Sequence, residues 1–238
     1  MKKPLCILKT GSAYREYRKT SGDFEDWIIQ LIRSSDLEWR VVDVTKGESL
    51  PNWHGLSGVI ITGSHAMITE HRAWSERCAE WLAEASSDGL AALGICYGHQ
   101  LLAYAFGGKV AKNPFGIELG TTEIELNENA ENDLLFSSLP KRFQAHVSHK
   151  QSVVTLPPGA VKLAQSAHEA YQVVRYAARI WGVQFHPEFS SDYVRYEIER
   201  YRNRLSKTGQ DVQQLLKMVQ ETPVSASLLQ KFCKLLES

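Results

Sequence analysis

Apolar positions in the first half of the chain recur in two alternating rhythms. Short continuous runs at residues 5–8, 37–44, 58–62 and 90–95 predict strands. The 58–62 and 90–95 runs are apolar throughout, as strands buried on both faces are. Between the runs, apolar residues spaced by three and four predict helices. One carries Trp27, Ile28, Leu31 and Ile32 behind a cap at Ser21. A second, 74–85, puts Trp74, Cys78, Trp81 and Leu82 on one face, and a third covers 100–106. Strand and helix in alternation predict the α/β class, with a central, mostly parallel sheet flanked by helices.

The rhythm changes after Gly107-Gly108. Residues 121–126 alternate apolar with polar or acidic side chains and predict a half-exposed strand; 153–156, 171–176 and 180–185 predict three more. This strand-rich half is expected to fold onto the first. From Asp192 the pattern is helical again, with Tyr193, Tyr196, Ile198, Tyr201 and Leu205 spaced for one face. A last helix runs through Leu228, Leu229, Phe232 and Leu235 behind a cap at Ser225 or Ser227. There is no repeat, low-complexity tract or obvious linker. The expected organisation is one α/β domain over 1–190 and a helical extension, 191–238, packed on the same domain and covering the sheet.

Composition narrows the function classes. At 238 residues and 43% hydrophobic, the chain is long and apolar enough for one large core. Basic and acidic residues balance at 27 each, which argues against a nucleic-acid partner held by general electrostatics. Cys6, Cys78, Cys96 and Cys233 form no C-x-x-C pair, so neither a zinc site nor a redox dithiol is expected. No run approaches the roughly 20 apolar residues that span a bilayer. The apolar stretch after the basic N-terminus is too short for a signal peptide. These features predict a soluble, cytoplasmic protein with reduced thiols and no membrane partner.

The candidate chemistry concentrates in two places. In Gly94-Ile95-Cys96-Tyr97-Gly98-His99-Gln100 a buried strand enters, a helix leaves, and a cysteine sits between glycines. Such an elbow exposes a nucleophile at the carboxyl end of a strand, and the helix N-terminus lowers a thiol pKa and offers oxyanion donors. The other three cysteines read as packing. A thiol nucleophile needs an oriented base. Of eight histidines, His186 stands out in Phe185-His186-Pro187-Glu188: an apolar strand runs into it. Pro187 favours extended backbone, and Glu188 two residues on is expected to point the same way.

Cys96-Tyr97-Gly98-His99-Gln100 and His186-Pro187-Glu188 together resemble the C-x-G-x-Q and H-P-E motifs of the class I, triad-type glutamine amidotransferases, over roughly residues 5–189. The resemblance is to stand-alone members similar to the glutaminase domain of GMP synthase, and it implies their flavodoxin-like fold. It also implies a triad of Cys96, His186 and Glu188. Backbone amides at Gly63 and Tyr97 would form the oxyanion hole, with Ser64 in the same loop, and Gln100 would help hold the substrate. Ser148, His149, Lys150 and Gln151 resemble the segment that meets the α-amino and α-carboxylate ends. Two departures are visible: His65 stands where the family often has proline, and Lys150 where it has glycine. Gly116, Glu118 and Gly120 resemble a family turn, read as structural.

The resemblance implies attack of Cys96 on the γ-carboxamide of glutamine, release of ammonia and hydrolysis of a γ-glutamyl thioester. It implies no metal and no organic cofactor. The residues after Glu188 are too few for a nucleotide-activating domain. Either a separate synthetase subunit takes the ammonia, or γ-glutamyl bonds are hydrolysed for their own sake. Two other readings stand beside the glutaminase: a γ-glutamyl peptidase using the same triad, and a non-catalytic binding protein on the same fold.

Overall fold

The computed structural model describes residues 3–237. In chain order the elements are β1 (Leu5–Lys9), α1 (Arg15–Ser21), α2 (Phe24–Ile32), β2 (Trp39–Asp43), β3 (Gly58–Ile61), α3 (Ala73–Ser87), β4 (Ala92–Ile95) and α4 (Tyr97–Ala105). Then follow β5 (Lys109–Lys112), β6 (Glu118–Leu126), β7 (Arg142–His149), β8 (Gln151–Thr155), β9 (Val161–Gln165), β10 (Val173–Ala177) and β11 (Ile180–Val183). The chain closes with α5 (Ser191–Lys207), α6 (Val212–Met218) and α7 (Pro223–Glu237).

Nine strands form one sheet in the order β2-β1-β3-β4-β11-β10-β9-β6-β7, and β5 pairs with β8 apart from it. The β2-β1-β3-β4-β11 block is parallel; the pairings beyond β11 are antiparallel. β3 and β4 are buried at every residue, as their unbroken apolar runs predict. In the parallel block Ile61 pairs with Gly94, and Ile95 with Val183. The carboxyl ends of β3, β4 and β11 therefore finish side by side, which is where open α/β sheets bind ligands.

Two apolar clusters cover the faces of the sheet. One includes Ile28, Ile60, Leu93, Trp181 and, from α7, Leu228, Leu229 and Phe232. The other joins Cys6, Val59, Cys78, Trp81, Leu82, Leu101 and Tyr176. Cys6, Cys78 and Cys233 are buried in these clusters, as packing requires. A third cluster, with Phe24, Phe189, Tyr193, Val194 and Ile198, fixes α5 over the carboxyl ends of the strands.

The cap at Ser21 is displaced. The side chain of Asp23 caps α2, accepting from Phe24 N, with Asp26 closing a reciprocal capping box. Carboxylate capping at both ends of the box outcompetes a hydroxyl two residues earlier. Ser225 and Ser227 are not caps either. α7 starts at Pro223, whose fixed φ and missing N–H suit a first helical turn. Both serine hydroxyls donate backward, to Thr222 O and Val224 O. α1, β5, β7, β9 and α6 appear where no element was expected, and α4 begins at Tyr97, earlier than its apolar pattern.

Candidate active site

The elbow between β4 and α4 is built by close backbone approach. Cys96 has φ 49° and ψ −97°, sparsely populated for any L-residue. Such conformations cost about 1–3 kcal/mol and persist only where their surroundings impose them. Here Cys96 N donates to Val183 O at 2.7 Å, and Cys96 O accepts the first bond of α4, from Gln100 N at 3.1 Å. A Cβ on Gly94 would lie 2.5 Å from the Gly98 backbone, and one on Gly98 would lie 2.5 Å from Ile61 O. The two glycines thus let the turn press against β3. The amides of Tyr97, Gly98 and His99 precede the helical ladder and point to its N-terminal end.

Cys96 is 5% exposed. Its Sγ lies 3.7 Å from Ser148 O and accepts from Gln184 Nε2 at 3.4 Å. His186, beyond β11, is near enough to Cys96 for the charge of the thiol to raise its pKa. Its amide donates to His146 O at 2.8 Å, its ring stacks on Phe189 at 3.8 Å, and its Nδ1 meets Glu188 Oε1 at 2.7 Å. The backbone turns at Pro187-Glu188 rather than continuing extended. The carboxylate still reaches the imidazole, because the turn folds it back. Burial pushes the His186 pKa down, but the charges of Glu188 and Cys96 outweigh it and lift it to about 10. The imidazolium is therefore the favoured form at neutral pH.

Gly63 lies against this ring: a Cβ there would sit 2.7 Å from His186 Cε1. The loop carrying it is pinned to the end of β1, where Thr10 N donates to Thr62 Oγ1 at 3.0 Å and Thr10 Oγ1 to Thr62 O at 2.8 Å. Ser64 closes its own turn, Oγ accepting from Ala66 N at 3.1 Å.

Ser64, Tyr97, Gln100, Ser148, Lys150 and Tyr201 are among the residues lining a cleft of about 40 Å³ at Cys96. That is room for about one water molecule. Several of the expected binding side chains are committed to internal bonds. The Tyr97 hydroxyl pairs with Ser75 at 2.6 Å. Gln100 Nε2 donates to Gln151 O at 2.7 Å and to Gln184 Oε1 at 2.9 Å. His149 is held by Glu118 at 2.6 Å and by Gln151 O at 3.0 Å, a structural use of Glu118. The Gln151 amide bridges to Ile68 N and Thr69 Oγ1. These four are struts that fix the walls, while Ser148 and Lys150 remain at the cleft.

Tertiary packing adds residues that local pattern did not single out. Gln184 shares the period-two face of His186, a signal present in the sequence. Tyr14, from the loop after β1, bonds Tyr201 OH at 2.6 Å and packs on the His65 ring at 4.4 Å. Lys150 Nζ donates to Tyr201 OH at 2.9 Å. Burial, then the charges of Lys150, His186 and Arg200, pulls the His65 pKa down to about 4, so this imidazole is neutral. Among the described residues no group of three or more acidic, histidine or cysteine side chains is arranged to hold a metal. No helix there is long and apolar enough to cross a membrane.

Comparison with known proteins adds an independent line. A family model described as glutamine amidotransferase class-I matches residues 20–200. A GMP synthase (glutamine-hydrolyzing) of Aeropyrum pernix is 34% identical over 193 residues, 79% of this chain but 35% of the relative. The chain thus spans about a third of that longer protein. A protein of Archaeoglobus fulgidus, named as one subunit of a GMP synthase (glutamine-hydrolyzing), is 30% identical over 184 residues, 76% of this chain and 91% of the relative. In fold, a glutamine amidotransferase of Thermotoga maritima superimposes with a TM-score of 0.77 over the whole of both chains, at 23% identity.

Proposed function

The chain belongs to the class I glutamine amidotransferase family, and from that premise we propose that it hydrolyses the γ-carboxamide of glutamine through a thioester on Cys96. The observation that carries the proposal is the 2.7 Å bond between His186 and Glu188, beside a cysteine held in a strained elbow and close enough to act on the imidazole by its charge.

The chemistry follows from that arrangement. With His186 protonated, the thiolate of Cys96 attacks the side-chain carbonyl carbon of glutamine. The amides of Tyr97, at the start of α4, and Gly63 face the developing oxyanion; one such donor is worth about 3 kcal/mol in the barrier. Collapse breaks the C–N bond, His186 gives its proton to the departing nitrogen, and ammonia leaves. His186, now neutral and still oriented by Glu188, takes a proton from water. The hydroxide adds to the thioester, glutamate departs, and the thiolate–imidazolium pair is restored. No step calls on a metal or organic cofactor.

Glutamine is preferred over γ-glutamyl peptides in this reading because Gly63 and Phe189 lie directly against the His186 ring, where the leaving amine emerges. A separate protein that consumes the ammonia fits the relative whose name makes it one subunit of a GMP synthase. The test is ammonia release from glutamine by the purified protein, alone and with candidate synthetase partners. Cys96→Ala is expected to abolish release while the protein stays folded. Release that survives the substitution would sink the assignment.

A further inference from the structure

Resting on the glutaminase reading, we propose that Glu197 and Lys150 recognise the α-amino-acid head of the substrate, with Glu197 taking the α-ammonium group and Lys150 the α-carboxylate.

Glu197 lies in the middle of α5, a helix whose other buried residues are mostly apolar. Its side chain is 1% exposed, and its Oε2 has no hydrogen-bond partner. Tyr193, one turn earlier, is fully buried with its hydroxyl likewise unpartnered. Tyr201, one turn later on the same face, lines the cleft at Cys96. Of this row Tyr201 lines the cleft, Tyr193 packs on Tyr17, Trp27 and Phe189, and Glu197 lies between them on the same helix face. Ser148 and Tyr193, as hydrogen-bonding neighbours, and the charges of His186 and Lys150 act on the Glu197 carboxyl against its burial.

A carboxylate taken out of water without its hydrogen bonds is costly, and native structures rarely keep one without a use. Core packing gives no reason for it, since a leucine or methionine would fill the same space without the penalty. Burial raises its pKa and so disfavours the carboxylate until a counter-charge is beside it. A substrate ammonium supplies that charge and up to three donors.

Lys150 is the complementary half. It sits beside Ser148 at the turn between β7 and β8 and lines the same cleft. Its Nζ meets Tyr201, through the 2.9 Å hydroxyl bond and the ring face at 4.7 Å. Among the described residues it has no carboxylate partner. A buried carboxyl with one oxygen unpartnered and an amine with no carboxylate partner thus lie near Ser148, whose carbonyl oxygen is 3.7 Å from Cys96 Sγ. That arrangement matches the opposite charges at the far end of a glutamine whose side-chain carbonyl carbon is at the thiol. A purely supporting role for Glu197, steering His186 from behind, would leave the α-amino group unread.

The two roles separate with a matched pair of probes: the chloroketone analogue of L-glutamine and the same chloroketone lacking its α-amino group, each followed by loss of the free Cys96 thiol. Iodoacetamide, which has no amino-acid head, reports the intrinsic reactivity of the thiol. The wild-type protein is expected to react faster with the amino chloroketone, by about tenfold or more, the worth of one charged hydrogen bond. In Glu197→Gln this preference disappears, while the iodoacetamide rate and its pH profile stay as in wild type. Equal rates for the two chloroketones in the wild-type protein overturn the proposal whatever the variant does. So does a Glu197→Gln protein that keeps the preference, or one whose iodoacetamide pH profile moves. A wild-type protein that reacts with iodoacetamide but with neither chloroketone overturns the glutaminase reading itself, and this inference with it.

Discussion

Gly63 occupies its place through one contact. A methyl group there would stand 2.7 Å from the imidazole carbon of His186, so the ring must rotate or shift. Because the loop around it is otherwise held by Thr10 and Thr62, Gly63→Ala is expected to fold with an unchanged melting temperature. Its kcat/KM for glutamine is expected to fall about a hundredfold, the usual cost of misplacing a reacting group by about an ångström. Activity within error of wild type would mean the imidazole does not take part. At this scale the His186–Glu188 pair and the elbow at Cys96 were legible, because each sits in a local pattern that dictates its surroundings. Glu197, Tyr14 and Lys150's partner Tyr201 were not. Each reaches the cleft from a distant element, and nothing within a few residues of any of them marks it. Gln100, His149 and Gln151 were legible as belonging to the site, but their side chains serve its walls.

At the level of elements, the loop after β1 carries Tyr14 over the cleft, and Asp23 holds that loop. Its carboxylate accepts from Ala13 N at 2.6 Å and Phe24 N at 2.9 Å, and pairs with Lys9 Nζ at 2.8 Å. Burial pushes its pKa up, but Lys9 and the two amides outweigh this and hold it below the usual 3.8. A carboxyl with a depressed folded-state pKa stabilises the fold above its unfolded pKa, and that contribution is lost as the pH falls through the folded one. Asp23→Asn is therefore expected to cost about 2 kcal/mol at neutral pH, since it leaves the buried Lys9 with Glu25 as its remaining carboxylate partner. The gap to wild type should close on acidification below 3.8, as followed by urea unfolding at both pH values. A gap that persists in acid would show that the charge of Asp23 is not what holds the loop.

The same scale explains which elements the pattern revealed. β3 and β4 are buried on both faces and read as unbroken apolar runs. α1 buries no residue and so carries no periodic signal. β7 does alternate, with Phe143, Ala145 and Val147 inward, but the buried His146 and His149 interrupt the apolar reading. The capping serines failed as signals because stronger local chemistry lay close by, the Asp23 capping box in one case and Pro223 in the other.

For the molecule as a whole, the parallel block and the antiparallel strands beyond β11 form one continuous sheet, and the three carboxyl ends that matter finish in register. The helices after Ser190 share its core. α7 contributes Leu228, Leu229 and Phe232 to the main cluster, while α5 lies over the cleft and supplies Tyr201 to its wall. The cleft at Cys96 has a volume of about 40 Å³, and Lys150 and Tyr201 are among the residues that wall it. The alternation of strands and helices made the class legible; the closure over the site is tertiary and was not. The central claim is a covalent γ-glutamyl thioester at one thiol. It is tested most directly by mixing the protein with glutamine, quenching in acid, and locating any γ-glutamyl adduct by peptide mass spectrometry. An acid-stable, hydroxylamine-labile adduct on the peptide carrying Cys96, absent in Cys96→Ala, is the expected result. Glutamine turnover with no adduct there, or with the adduct on another residue, would contradict it.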